Sequence, residues 1–455
     1  MTNFSASDEL PLAPPAGMRD LLPPDAEHRA QLASQVAATF ASYGYERVAT
    51  PPFEHADVLE RGLWNVERRS LLRFVEPETG EVALLRPDIT PQIARIVATR
   101  LRERPMPQRL CYEGTILRRR RGRARRQLQS TQAGIECVGL SGPASDAEVI
   151  EVAARAVSEG GLESFRIELH DVRVGREALA EVPESARSAA ERALSAKDQT
   201  QLEQILTSAG MKREERRPLL RLPELYGDLP SVVARAQRHM KSGSAHAALE
   251  RLKKVQEYLG HAGVAERLDV DLGEVRGQAY YTGVSFALLA AGPGEAIGAG
   301  GRYDALLARF GAPHPATGFA LDLGHLEWAL LHAGQTPRST GKLRLTLVGE
   351  GAEARAWARG LRDAGVRVTR LGVSDRAAAM KHARAWGADA VLTLGAKHAN
   401  LTRTSDGKKR NLGDARSPLN GEPLAQLIKW TRAGAEAGSN ETADIGRGPA
   451  TNEVG

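Results

Sequence analysis

Apolar residues recur at helical spacing from Asp25 to Tyr43, where Leu32, Ala33, Val36, Ala37 and Phe40 share one side and Gly44 ends the run. The spacing then shortens. Arg47 to Phe53 and Val82 to Arg86 read as strands, and Pro91 to Arg104 as a helix. Arg109 to Leu117 and Thr131 to Leu140 read as two further strands joined by a polar loop. Residues 144–158 are helical in pattern, and Phe165 to His170 is strand-like. From about Arg176 to His261, Ala, Leu, Glu, Arg and Lys dominate at helical period, which predicts a helical insertion. Strand character returns from Leu268 to Ala290, and Ala316 to Ala333 passes from strand to helix. Residues 17–330 therefore read as one mostly antiparallel α+β domain interrupted by helices.

A short linker is expected at 336–342. Beyond it the pattern alternates: strand from Leu343 to Val348, helix from Ala352 to Ala364, strand from Val366 to Leu371, helix from Asp375 to Trp386, strand from Ala390 to Leu394. Such alternation predicts a small α/β domain over 343–432 with a parallel sheet. Residues 1–16 and 433–455 are polar and are expected to be disordered.

Composition narrows the class. The chain has 455 residues, 42% hydrophobic and 26% charged, as in a globular protein of about three ordinary domains. It contains no apolar run of membrane-spanning length and no secretory signal pattern at its start, so a cytoplasmic protein without a membrane partner is expected. Two cysteines, Cys111 and Cys137, make no disulfide framework and no zinc pattern. No metal and no cofactor are expected.

The net charge of +6 is unevenly spread. Arg118 to Arg126 holds seven arginines in nine residues, between two predicted strands. Guanidinium forks match phosphate oxygens, although a charge run of this kind is also what a solvated loop looks like.

Three segments carry candidate chemistry: Arg276-Gly-Gln-Ala-Tyr-Tyr-Thr-Gly283, Gly300-Gly-Arg-Tyr-Asp304, and Ala316-Thr-Gly-Phe-Ala-Leu-Asp-Leu-Gly-His325. Paired tyrosines can supply the donor, acceptor and aromatic wall that an imidazole needs. Taken alone, the first segment could equally be a strand ending in a tyrosine-rich hairpin. Gly298-Ala-Gly-Gly301 lacks the spacing of a phosphate loop and reads as a strand-to-helix turn with close backbone approach.

In order along the chain, Gly17-Met-Arg-Asp-Leu-Leu-Pro23, Tyr45 to Pro51 with Glu54, Leu85-Arg-Pro-Asp-Ile-Thr90, Gly114 to Arg120, and the segments above resemble the histidyl-tRNA synthetase family. The resemblance implies a class II aminoacyl-tRNA synthetase-like antiparallel sheet with flanking helices. It also implies a class II-type dimer built around Tyr45 to Pro51. By the same resemblance a histidine site would comprise Asp88, Thr90, Arg118, Gln132, Glu136, Arg276, Tyr280 and Tyr281. Asp88 would pair with the ligand ammonium and Arg276 with its carboxylate. Asp88 is one methylene shorter than the family glutamate, and Gln278-Ala279 replaces the usual Leu-Asp. Segment 343–432 resembles, more weakly, the anticodon-binding domain.

Two departures fall on the side that would hold ATP. Arg120 stands where the family has the glutamate that reads adenine, and His325 where it has an arginine on ATP. A histidine lacks the arginine fork. The pattern therefore resembles most the regulatory subunit of ATP phosphoribosyltransferase, a synthetase paralogue without catalytic residues of its own. That resemblance implies a short-form ATP phosphoribosyltransferase catalytic subunit as partner, self-association, and histidine as effector, with tRNA not expected. A histidyl-tRNA synthetase is the alternative, and a nucleic-acid-binding regulator the third reading.

Overall fold

The computed structural model describes residues 13–63, 71–118, 128–238, 243–275, 281–335, 343–372, 375–417 and 426–431. Arg119 to Arg126 of the arginine-rich loop, with Arg120, lie outside these residues. So do Arg276 and Tyr280, the linker 336–342, most of the polar lead-in and the tail. The chain separates into two compact units, residues 1–20 with 29–338, and residues 21–28 with 339–455.

The first half runs α1 (Asp25–Ser42), β1 (Glu46–Arg47), β2 (Phe53–His55), α2 (Ala56–Gly62), β3 (Arg73–Val75), β4 (Val82–Leu85), α3 (Thr90–Thr99), β5 (Gln108–Leu117), β6 (Gln129–Val138), α4 (Pro143–Glu159) and β7 (Arg166–Asp171). The helical stretch follows as α5 (Val172–Ala180), α6 (Glu184–Ser195), α7 (Gln199–Ser208), α8 (Arg213–Arg221), a two-residue β8 (Tyr226–Gly227), α9 (Leu229–Gln237) and α10 (Gly243–His261). The chain returns as β9 (Leu268–Asp271), β10 (Val284–Leu289), β11 (Gly298–Arg302), β12 (Ala316–Asp322) and α11 (Leu323–His332). The second unit holds β13 (Arg344–Val348), α12 (Gly351–Asp363), β14 (Arg367–Leu371), α13 (Arg376–Ala385), β15 (Ala390–Leu394), β16 (His398–Arg403) and β17 (Lys409–Asp414).

A nine-stranded sheet in the order β1-β5-β6-β12-β11-β10-β7-β9-β8 organises the first unit. Its central pairs are antiparallel. Alternation divides the side chains between its two faces. Ala133, Ile135 and Cys137 of β6 and Phe319 and Leu321 of β12 enter the main core with Leu32, Val36 and Phe40 of α1 and the apolar side of α4. Phe40 meets the Phe319 ring edge-on at 5.6 Å. On the opposite face Leu110, Tyr112 and Ile116 of β5 pack with Ile89, just before α3, and with Ile93 and Val97 of α3. Burying one such side chain contributes about 1.5–3 kcal/mol. Both cysteines are buried and unpaired with each other.

Several expected elements differ. The strand read over Arg47 to Phe53 is broken between β1 and β2. Pro51 and Pro52 have no N–H to give to a ladder, and the carbonyls of Thr50 and Pro51 accept from Arg86 and Gln92. β2 instead pairs with β4 in a separate three-stranded sheet, β2-β4-β3. α3 stops at Thr99, and the carbonyls of Leu101 and Arg104 beyond it accept from the Gln108 amide. Gly298–Arg302 is a central strand, not a turn. Its glycines admit close neighbours: a Cβ on Gly300 would lie 2.4 Å from the Gly318 carbonyl. In the second unit β14-β13-β15 is parallel as read, but β16 and β17 add antiparallel strands, so that sheet is mixed.

Candidate ligand-binding site

The face of the large sheet opposite the main core carries a cleft of about 330 Å3. It is built from period-two positions on three adjacent strands, Gln132 and Glu136 of β6, Gly318 and Asp322 of β12, and Ile116 of β5. Asp88, Thr90, Arg118, Gln132, Glu136, Tyr281 and His325 all line it. Segments far apart in the chain are thereby brought to one place.

Arg86 anchors one end. Its buried guanidinium donates to the Thr115 carbonyl at 2.8 Å and to the Thr50 hydroxyl at 2.7 Å. That fixes the turn carrying Asp88. Gln132 then holds the carboxylate: its Nε2 donates to Asp88 Oδ1 at 3.1 Å, while its Oε1 accepts from the Ile89 N–H at 3.1 Å. Asp88 Oδ1 also accepts from the Thr90 N–H at 3.3 Å. An oriented carboxylate beside an open cleft suits a ligand ammonium.

Glu136 lies deeper, at 2% exposure. It accepts from the Tyr112 hydroxyl at 3.3 Å and from the Tyr303 hydroxyl. Burial pushes its carboxyl up to about 8, and the nearby Asp88 adds to the rise, while hydrogen bonds from Thr90, Tyr303 and Tyr112 oppose it. At neutral pH the group is therefore mainly protonated and can donate as well as accept. Burial likewise pushes the Tyr281 and Tyr112 hydroxyls up, so both stay protonated donors. Two glycines make room. A Cβ on Gly318 would stand 1.8 Å from Glu136 Oε2, and one on Gly134 2.6 Å from the Tyr112 hydroxyl.

The other end is built from different groups. Arg118, Ser130, Asp322 and His325 meet there, with Glu295 on the cleft wall. Asp322 caps α11, accepting from the Gly324 and His325 N–H groups at 2.9 and 3.1 Å, and from the Ser130 hydroxyl at 2.7 Å. A helix N-terminus that would attract phosphate is thus already filled by a carboxylate. His325 Nδ1 sits 3.0 Å from the Ala296 carbonyl. A carbonyl only accepts, so Nδ1 carries a hydrogen. Nε2 lies 4.0 Å from Glu295. Among the described residues, Arg118 is the only arginine on the cleft wall.

Tyr112, Tyr303 and Arg86 were not singled out from the sequence. Tyr303 stood in a quoted motif without a role. The signal for Tyr112 was its in-phase position on β5 opposite Gly134, which only the strand register reveals. Among the described residues no group of three or more His, Cys, Asp and Glu is placed to hold a metal ion. No described helix is long and apolar enough to cross a membrane.

A family model described as histidyl-tRNA synthetase matches residues 17–326. An Anaeromyxobacter dehalogenans protein named ATP phosphoribosyltransferase regulatory subunit is 42% identical over 348 residues, 76% of this chain and 99% of the relative. The chain belongs to the ATP phosphoribosyltransferase regulatory subunit family. A Moorella thermoacetica member of the same name is 40% identical, over 72% of this chain and 84% of its own. Among solved structures, a Bacillus halodurans protein titled as an ATP phosphoribosyltransferase regulatory subunit/histidyl-tRNA synthetase is 27% identical with a TM-score of 0.73, covering 82% of this chain and 97% of its own. A Nostoc histidyl-tRNA synthetase, 19% identical with a TM-score of 0.77 over 93% of this chain and all of its own, shares the fold. The fold is therefore class II aminoacyl-tRNA synthetase-like. About a quarter of this chain lies outside the match to the Anaeromyxobacter member.

Proposed function

We propose that this chain is a non-catalytic subunit that joins a short-form ATP phosphoribosyltransferase catalytic subunit for the first step of histidine biosynthesis, and that the cleft binds histidine as its effector. The observation that carries this reading is the asymmetry of the cleft. Asp88, Gln132, Glu136 and the tyrosines form an ordered, acidic and amphipathic end suited to an ammonium and an imidazole. The opposite end has a carboxylate on its helix N-terminus and a histidine where the synthetase resemblance calls for an arginine.

Amino-acid activation develops negative charge at the ATP α-phosphate, and fixed cations must meet it. Loss of one such contact typically slows the step about 10²- to 10³-fold. Asp322 and Glu295 oppose the same charge. Arg118 remains, and Arg276, Tyr280 and Arg120 complete the proposal from sequence. Histidine would act by binding one arrangement of the complex more tightly, with a coupling of about 1–3 kcal/mol. Self-association in the class II manner is part of the same reading, and the exposed edge strand β1 is compatible with it.

Mixing the chain with a short-form catalytic subunit tests the proposal. Co-elution, activity above that of the catalytic subunit alone, and inhibition by histidine are expected. Separate elution with unchanged activity would overturn it.

A further inference from the structure

Tyr303 and Tyr281 line the floor of the cleft, and both adjoin residues held from outside it. Arg302, next to Tyr303, is charged yet only 2% exposed. Its Nε donates to Asp146 Oδ1 at 2.8 Å, Nη2 to the Ser145 hydroxyl at 2.9 Å, and Nη1 to the Leu140 carbonyl at 3.0 Å and Asp304 Oδ1 at 2.9 Å. Asp146, in the first turn of α4, is equally buried and is shared: its other oxygen accepts from Arg251 Nε at 2.7 Å. Arg251 belongs to α10 of the helical insertion and also donates to the Ser141 carbonyl at 2.7 Å.

The same residues fix the segment after Tyr281. The Thr282 N–H donates to the Arg302 carbonyl at 2.6 Å, and the Asp304 N–H donates to the Thr282 hydroxyl at 2.9 Å. Asp304 Oδ1 accepts further from the Ala316 N–H at 3.0 Å. From α5, Arg176 donates to the Tyr281 carbonyl at 2.9 Å. The centre of this network, Asp146, Arg302 and Ser145, is buried with its polar groups partnered, which favours a single arrangement, and the neighbours of both tyrosines are tied to it.

We propose that Arg251, Asp146 and Arg302 form a positioning brace that sets Tyr303 and Tyr281 against Glu136, so that α10 of the helical insertion tunes the affinity of the ligand site. The insertion is then the element through which a change elsewhere in an assembly reaches the cleft. The proposal rests on the reading of the cleft as a histidine site only for the identity of the ligand.

The groups facing Glu136 are Asp88 and Thr90 at the start of α3, Tyr112 from β5, Tyr281, and Tyr303 after β11. Of these the hydrogen bonds from Thr90, Tyr303 and Tyr112 favour the ionised carboxyl, and Tyr303 is the one that adjoins the network. Displacing Tyr303 therefore moves the Glu136 titration upward, whereas a loss of stability alone does not. The test uses the full chain as Arg251→Met, with Arg251→Lys as the conservative variant and Tyr303→Phe as the reference for a lost hydroxyl. Arg251 is on the outer side of the network, so its variants loosen Asp146 while leaving Asp146 and Arg302 themselves in place.

The protonated carboxyl stretch in the infrared, assigned by its loss in Glu136→Gln, follows the titration without ligand. Calorimetry with histidine follows affinity. Expected is an upward titration shift in Arg251→Met in the same direction as Tyr303→Phe, at least a fivefold weaker histidine affinity, and partial recovery of both in Arg251→Lys. A wild-type titration in Arg251→Met overturns the brace, whatever histidine does. If the titration shifts while the wild-type chain binds no histidine, the brace stands and the ligand assignment falls.

Discussion

At the residue scale the cleft turns on Glu136. Its carboxyl keeps a proton up to about 8, whereas the unfolded chain loses it near 4.5. Between these values the folded state binds more protons, so this group's contribution to stability is full below 4.5 and declines as pH rises towards 8. Denaturant unfolding from pH 5 to pH 9 should show that slope, and Glu136→Gln should remove it; identical slopes would show that Glu136 titrates normally. Asp88→Asn keeps the shape but not the charge offered to an ammonium. Histidine binding should weaken about 10- to 100-fold, the range for a hydrogen bond to a charged group, and calorimetry reads it directly. Gly318→Ala drives a methyl into Glu136 and into the Ile135 carbonyl at 2.4 Å. Lower thermal stability with loss of histidine binding is expected, and unchanged binding would contradict the placement of Glu136. Asp88, Gln132 and Glu136 were legible because they sit in motifs with ordered spacing. Tyr112 was not, because its role depends on which strand lies beside which, and Arg86, although inside the Leu85 to Thr90 motif, had no role until its partners Thr50 and Thr115 were placed.

At the element scale the helices were the most legible, since α1 and α4 carry apolar residues at helical spacing over four or more turns. α11 shows why capping matters to function as well as to folding. Asp322 satisfies two N–H groups of its first turn and fills the place an anion would take. Asp322→Ala should lower stability by about 1 kcal/mol, as loss of an N-cap does. It should also raise the affinity of the cleft for inorganic pyrophosphate, measured by calorimetry; no gain in anion affinity would argue against Asp322 as the excluding group. The errors of sequence reading have physical causes. Gly298–Arg302 looked like a turn because glycine favours turns, but here it permits a crowded central strand against Phe286 and Phe319. β16 and β17 went unread because His398–Arg403 offers only two apolar positions, Ala399 and Leu401, and Lys409–Asp414 only Leu412, too few to stand out as strands. The Pro51-Pro52 step hid the separate three-stranded sheet.

At the scale of the whole molecule, a class II synthetase-like fold accompanies a cleft whose two ends carry different groups, Asp88 with tyrosines at one and Arg118, Asp322 and His325 at the other. The second unit is distinct in another way. Residues 343–431 hold sixteen Lys and Arg against eight Asp and Glu, more positive than the chain as a whole at +6. Its basic charge predicts polyanion binding that falls steeply with salt, and a filter-binding series with tRNA from low to physiological salt measures it. Weak, sequence-blind retention lost at physiological salt fits the regulatory reading. Tight retention that persists would favour the nucleic-acid reading. The family could be read from seven ordered segments, of which five contribute residues to one cleft. What could not be read was how those segments meet, above all the route from α10 through Asp146 and Arg302 to Tyr303.

The central claim is that the cleft holds histidine without activating it. Pyrophosphate exchange into ATP, run with histidine at concentrations that calorimetry shows to saturate the same preparation, tests it most directly. Saturable histidine binding with no exchange above the enzyme-free background is the predicted result. Histidine-dependent exchange at a rate typical of a synthetase would contradict it.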